Sequence, residues 1–466
     1  MWHMRKTWLG TLVLPAFLAA ACESDPSSST NQPGFDGGAP SFDSGASPFD
    51  AGGADAPATK GVTVTVVSGT TPIAGARVVF HDAAGAVTGE QQTDALGKVS
   101  VATAPSQVTV IVLDEPPAFS SGGRLVTYTD VADGDTLVVD ASEPESEQPV
   151  ALFEVTLPGV YDGAANYVVR TGNCTAQGAP DEPLALVLTR PCVRTPTSVL
   201  AVAEDANGRA VAYAFKKGNT PPASDPNDPK SVPVTVPGPW VPSGSVQLTA
   251  TNLPPGSSTE VALFTVSEQS AFFSSYPTTI LEEGPVEFPV PTGFPDAVQA
   301  YAAAHLERGT LAFLRRAPVA PAIPFDFVQA LPRITSATVT PTPKRPEVSW
   351  TSAAPLTGSD GGFVSVRWSV QLDPDTSARF SWTFVVPSNA TSVKAPELPA
   401  ALASVAPGDE LDTEQVAFIE SDSLPSFAAL KAVPFRHHLR TGSPFEPSVP
   451  LAANANVRIS GWNVSD

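Results

Sequence analysis

Three cysteines, two methionines and five histidines in 466 residues leave this chain few soft metal ligands and few bases that titrate near neutrality. Charged residues make up 16%, well under the usual quarter. There is no His-Glu-x-x-His, no Gly-x-Ser-x-Gly elbow, no Walker loop and no Gly-x-Gly-x-x-Gly strand–helix unit. Those absences remove the best-marked metalloprotease, esterase and nucleotide-binding chemistries. Positive charge is also scarce: 26 Lys and Arg stand against 47 Asp and Glu. An acidic surface disfavours nucleic acid and anionic headgroups, because phosphate binding needs a cationic face. Past the first 22 residues no apolar run approaches the 18 residues of a membrane helix.

What the chain has in excess is proline, 50 residues, about twice the ordinary share of ~5%. Proline interrupts helices and settles at strand ends and edges, so the composition predicts a mainly β protein with many connections. The length leaves room for several domains.

The opening 22 residues read as an export leader. Arg5 and Lys6 are positive, Thr7 to Leu18 is apolar but too short to span a bilayer, and Ala19-Ala20-Ala21-Cys22 follows. The Leu18-Ala19-Ala20-Ala21-Cys22 stretch resembles the bacterial lipoprotein signal, with its leucine one place further from the cysteine than is usual. The resemblance implies a diacylated Cys22 as mature N-terminus and a membrane partner reached through that lipid. Glu23 stands where an Asp would favour inner-membrane retention, so it implies the outer membrane, facing the periplasm or the exterior. The competing reading is an ordinary cleaved signal. Without Arg5 and Lys6 the formal charge moves from −21 to −23, which suits a body tethered to a membrane it must not stick to.

Residues 23–60 are Ser-, Asp-, Gly-, Pro- and Ala-rich, with Phe35-Asp36, Phe42-Asp43 and Phe49-Asp50 recurring. So few apolar groups predict a disordered tether, with an r.m.s. span of about 35 Å as a flexible coil. From Gly61 the pattern turns to strands: Val62, Val64 and Val66 alternate with Thr63 and Thr65. Pro72-Ile73-Ala74-Gly75-Ala76-Arg77-Val78 and Thr93-Asp94-Ala95-Leu96-Gly97 then punctuate short β-branched runs. These residues resemble the carboxypeptidase regulatory-like domain over 61–141. The resemblance implies a small transthyretin-type sandwich without catalytic residues, used as spacer or binding platform.

A second β-rich domain is expected over 148–330. It holds Cys174 and Cys192, an even pair in an exported chain, which reads as a disulfide rather than a zinc site, since no histidine lies near. Ser198–Phe215 reads as a hairpin turning at Asn207-Gly208. Residues 296–316 are ambiguous: alanine-rich with helix-like ends, yet alternating as a strand pair, and the β context favours the hairpin. A third, sandwich-like domain is expected over 331–466, where Trp368 and Trp382 alternate with apolar neighbours and so predict core. Its Pro346-Glu347-Val348-Ser349-Trp350 start is similar to fibronectin type III modules. The expected fold is therefore tandem β-sandwiches after a signal peptide and tether.

Candidate chemistry is thin. The mature histidines are His81, His305, His437 and His438, and adjacent histidines on a strand face opposite ways. Asp133-Gly134-Asp135, Asp225-Pro226-Asn227-Asp228 and Asp373-Pro374-Asp375 offer hard oxygen ligands for calcium, but are equally ordinary turn sequences. Trp240 and Trp462 are the indoles least committed to a core, and so the ones able to stack on a sugar. No catalytic residue, no metal site and no cofactor is assigned. The expected function is non-enzymatic: binding or adhesion in the cell envelope, with an envelope protein or polysaccharide as partner. The alternative is an envelope hydrolase or carbohydrate-binding accessory protein.

Overall fold

In the computed structural model, residues 61–463 are described apart from short internal stretches, the longest being 114–121, 142–148 and 434–452. The leader, Cys22, the Phe-Asp units and His437-His438 lie outside the described residues. Almost all the regular structure described is strand, arranged as four two-layered sandwiches, so the mainly β expectation holds.

The first sandwich faces Val62–Ser68, with its neighbours Lys98–Val101 and Thr136–Asp140, against Arg77–His81, Gln107–Leu113 and Gly123–Tyr128. Alternation places Val62, Val64 and Val66 inward against Val78, Phe80, Val108 and Val110. The Thr-Asp-x-x-Gly stretch works as a turn. Asp94 Oδ1 accepts from the Leu96 and Lys98 N–H groups, both at 2.8 Å. Gly97 sits at φ +69°, where a Cβ would meet the Val66 carbonyl oxygen at 2.4 Å. Thr93 ties the turn down, donating to the Ile73 carbonyl at 2.6 Å and accepting from Ala76 N–H at 2.9 Å.

The described residues of the stretch 148–330, read from sequence as one domain, form two sandwiches. One gathers Phe153, Val169, Leu186, Ala201 and Val234 with both cysteines. The other gathers Leu248, Leu263, Phe288, Phe313 and Phe325. The hairpin at 197–219 forms, but its loop is longer than a two-residue Asn-Gly turn. Asp205 N–H reaches Arg209 O, Asp205 Oδ1 caps Asn207 and Arg209, and of the Asn207-Gly208 pair Gly208 alone has positive φ. The ambiguous segment is the expected hairpin, Ala297–His305 with Gly309–Ala317. Its alanines have a packing reason: Val298, Ala300, Ala302 and Ala304 face one core, while Ala297, Tyr301 and Ala303 face another. A strand covered on both sides favours small side chains, and Tyr301 is the large exception on this one.

The last sandwich sets Ile334–Thr340, Glu347–Ser352 and Ser392–Lys394 against Gly361–Asp373, Thr376–Val386 and Thr413–Ser421. Trp350, Trp368, Phe380, Trp382, Phe384 and Phe418 fill it. Trp368 stacks on Phe380 with centroids 5.6 Å apart.

These sandwiches share a sheet. Gly123–Tyr128 runs parallel to Thr376–Val386, pairing Leu125 with Trp382 and Tyr128 with Val385. At the other side Asn456–Asn463 lies antiparallel between Gly309–Ala317 and Thr413–Ser421. One 13-stranded sheet therefore passes from the first sandwich through the last and into the third. Its faces supply two cores across the expected boundaries: Val79, Ile111 and Leu125 join the last region's aromatics, and Phe363, Val385 and Ile419 join the first region's valines. Among the described residues no helix is long and apolar enough to cross a membrane.

Candidate functional site

A buried chain of polar side chains lies at the joint between the first and last sandwiches. His81 is fully buried; its Nε2 is 2.9 Å from Thr109 Oγ1, which is 2.8 Å from Thr127 Oγ1, which accepts from Trp382 Nε1 at 2.8 Å. An indole N–H only donates. The assignment that uses every hydroxyl hydrogen therefore runs from Trp382 through Thr127 and Thr109 to His81 Nε2, which accepts as a neutral ring. Burial pushes His81 down to about 4, helped by the Arg345 guanidinium and opposed by Asp82 and the Gly85 carbonyl. Arg345 also spans the joint: Nη2 donates to the Ala84 carbonyl at 2.8 Å, Nε to Ala395 at 2.9 Å, and Nη1 pairs with Glu397 at 3.1 Å. Gly85, at φ +78°, is needed there because a Cβ would sit 2.6 Å from Arg345 Nη2.

The other side of the same joint holds Lys431, on the single-turn helix α1 (Phe427–Lys431) capped by Ser426. Its ammonium is buried against Asp135 Oδ2, donates to the Asp130 carbonyl at 3.0 Å and lies 4.6 Å from the Phe427 ring centroid. Asp135 Oδ2 also accepts from Ala132 N–H at 2.8 Å. So one of the three loops considered for calcium instead receives a lysine, and Asp133 Oδ1 accepts from Gly61 N–H at 2.8 Å. Most of the Asp225 loop and the Asp373 loop side chains lie outside the described residues. Among the described residues no three metal-ligating side chains cluster.

Cys174 and Cys192 are bonded, with Cα atoms 6.0 Å apart, inside the second sandwich core. His305 sits at a strand end, with Nε2 3.1 Å from Glu260 Oε2 and Nδ1 3.3 Å from the Thr310 hydroxyl. Trp240 packs against Tyr161 and Tyr167 and donates to the Gly159 carbonyl at 3.0 Å, so its ring closes the sandwich end rather than standing free. Trp462 packs against the last sandwich core.

The described residues form two concavities large enough for a ligand. A polar cleft of about 700 Å³ joins the second and third sandwiches, lined by Arg170, Glu204, Arg209, Ser243, Ser245 and Glu287. Arg170 and Glu204 form a pair at 3.7 Å in its wall. A more open groove of about 950 Å³ crosses the outer face of the three-stranded sheet, where Ser336, Thr338, Ser349, Thr351 and Ser392 point outward and loops 352–357 and 388–391 form walls. The cleft is mainly polar, whereas the groove sets its hydroxyls beside apolar surface from Ala353, Pro355 and Leu356. Sequence reading missed Lys431, Arg345 and both concavities. A lysine inside the apolar run Phe427-Ala428-Ala429-Leu430-Lys431-Ala432-Val433 was the available signal, since lysine is rarely fully buried without a partner.

No family model matches the chain, and no curated protein matches it. Among solved structures, the Bacillus anthracis TIE protein aligns over 53% of this chain and 45% of its own, at 12% identity and TM-score 0.15. The FN1–FN3 domains of chicken CNTN1 align over 66% of this chain and 92% of theirs, at 11% identity and TM-score 0.12. This chain thus spans less than half of the TIE protein's length. At these scores the likenesses carry no functional argument.

Proposed function

We propose that this is a lipid-anchored cell-envelope protein of structural or adhesive kind, held in the outer membrane by Cys22 and acting through its surface rather than through catalysis. The anchor rests on the leader ending Ala19-Ala20-Ala21-Cys22 and on the acidic body behind it. The observation that carries the structural part is the 13-stranded sheet, which makes the first, last and third sandwiches one hydrogen-bonded body instead of beads on a string, with the second joined to the third where Ala210–Asn219 pairs with Val241–Thr251. Independent modules would pivot at their linkers; a shared sheet resists that, as a load-bearing or presenting element requires. The first domain, resembling carboxypeptidase regulatory-like modules, serves here as a buttress. The hydroxyl-lined groove is the surface offered to an envelope polysaccharide.

Phase partitioning of cells making the wild type or Cys22→Ser tests the anchor. The wild type is expected in the detergent phase and the variant, as unacylated precursor, in the aqueous phase; equal partitioning refutes the anchor. Co-sedimentation of the Cys22→Ser protein with purified envelope polysaccharide tests the surface. Binding weakened at least fivefold by Thr338→Arg and Ser349→Arg together supports it, and unchanged binding sends the polymer elsewhere. Purified protein should turn over no ester, peptide or glycoside; hydrolysis lost on replacing His81 or His305 overturns the non-catalytic reading.

A further inference from the structure

We propose that Lys431 and Asp135 close into an isopeptide bond, a covalent cross-link between the first and last sandwiches that forms without an added enzyme. The proposal stands apart from the binding reading above, because the bond would form whatever the protein holds.

Both residues are more than nine-tenths buried, at 2% and 8% exposure, and they come from positions 296 residues apart. Two ions taken out of water cost several kcal/mol each before their attraction repays it. An amide carries no such cost. The surrounding hydrogen bonds also match an amide. An ammonium has three N–H donors, whereas among the described residues the oxygens it bonds are two, Asp135 Oδ2 and the Asp130 carbonyl, with the Phe427 ring on another side. An amide nitrogen keeps a single N–H, for which the Asp130 carbonyl is the acceptor. The amide oxygen keeps the Ala132 N–H already on Oδ2. Asp130 holds that carbonyl in place from an uncommon backbone conformation, φ +51° for a non-glycine residue.

The step balances within the pair. One proton passes from the Lys431 ammonium to the Asp135 carboxylate, leaving an amine and a carboxylic acid. The Nζ lone pair attacks Cγ, and the negative charge that develops on Oδ2 is met by the Ala132 N–H. A second Nζ proton moves to the departing hydroxyl, which leaves as water. The third stays on the amide. No oxidant, metal or outside acyl donor takes part, and the Phe427 ring keeps bulk water from reversing the reaction.

Peptide mapping of the purified full-length protein, denatured, reduced and digested with trypsin, reads the result directly. Acylated Lys431 resists trypsin, so the expected product is a branched species joining residues 125–170 to residues 395–436, lighter than their sum by one water, about 18 Da. Lys431→Arg and Asp135→Ala should each abolish it. Recovery of 125–170 and 395–431 as separate peptides of full mass, with no branched form, overturns the proposal. So does a water lost from 125–170 alone. Because the wild type itself decides, a variant that fails to fold leaves the test intact.

Discussion

Acidifying the protein from pH 7.5 to pH 5 should destabilise it through His81 more than through any other histidine described. The unfolded chain takes up a proton on His81 near the ordinary value of about 6.5, while the folded protein refuses it until about 4. Below pH 6.5 the unfolded state therefore binds more protons, and stability falls as pH falls, levelling off once the folded ring also protonates. The full difference is worth about 3 kcal/mol at ~1.4 kcal/mol per unit, of which about 2 kcal/mol is lost by pH 5. Geometry gives this loss its location. A protonated Nε2 must donate, so Thr109 can no longer donate to it, and the Thr109–Thr127–Trp382 chain has to reverse against an indole that cannot accept. Urea titrations followed by tryptophan fluorescence at pH 7.5, 6.5, 5.5 and 5.0 measure it. His81→Gln supplies an amide oxygen for Thr109 without a titrating proton, and its curve should be flatter than that of the wild type by about 2 kcal/mol over this range. Parallel curves for the two proteins would refute the reasoning and assign the acid sensitivity to carboxylates.

Replacing both Cys174 and Cys192 with alanine should cost about 3 kcal/mol, the chain-entropy value for a loop of 18 residues, seen as a lower urea midpoint. Trp368→Ala empties a site 1% exposed between Phe380 and Trp382 and should cost about 3–5 kcal/mol by the same assay. Its loss should also be felt at the first sandwich, because Leu125 packs in the same core; hydrogen exchange at Gly123–Tyr128 reads that coupling.

Strand positions were legible because alternation reports which side chains face inward. Val62, Val64 and Val66, Trp368, Trp382 and Phe384 all point where their period placed them. The disulfide was legible from the even cysteine pair. Alternation says nothing of which strand lies alongside, however, and that is where the reading stopped. Nothing in Gly123–Tyr128 announces a parallel neighbour some 250 residues later. The single domain expected over 148–330 holds two sandwiches because Val241–Thr251 pairs at its start with Ala210–Asn219 of one and along its length with Gly284–Pro291 of the other, a change that alternation does not report. Lys431 and Asp135 were unremarkable alone, and became a site only when topology brought them together.

The strand Asn456–Asn463 has a consequence for the order in which this protein can assemble. Its two neighbours are made earlier, Gly309–Ala317 by about 140 residues, a delay on the order of ten seconds at ordinary synthesis rates of ~5–20 residues per second. Until it arrives, two strand edges stand open with unpaired N–H and C=O groups, each a template for another chain. This late-made strand is thus the keystone, and a copy interrupted before it is left not merely shorter but sticky on both sides of the gap.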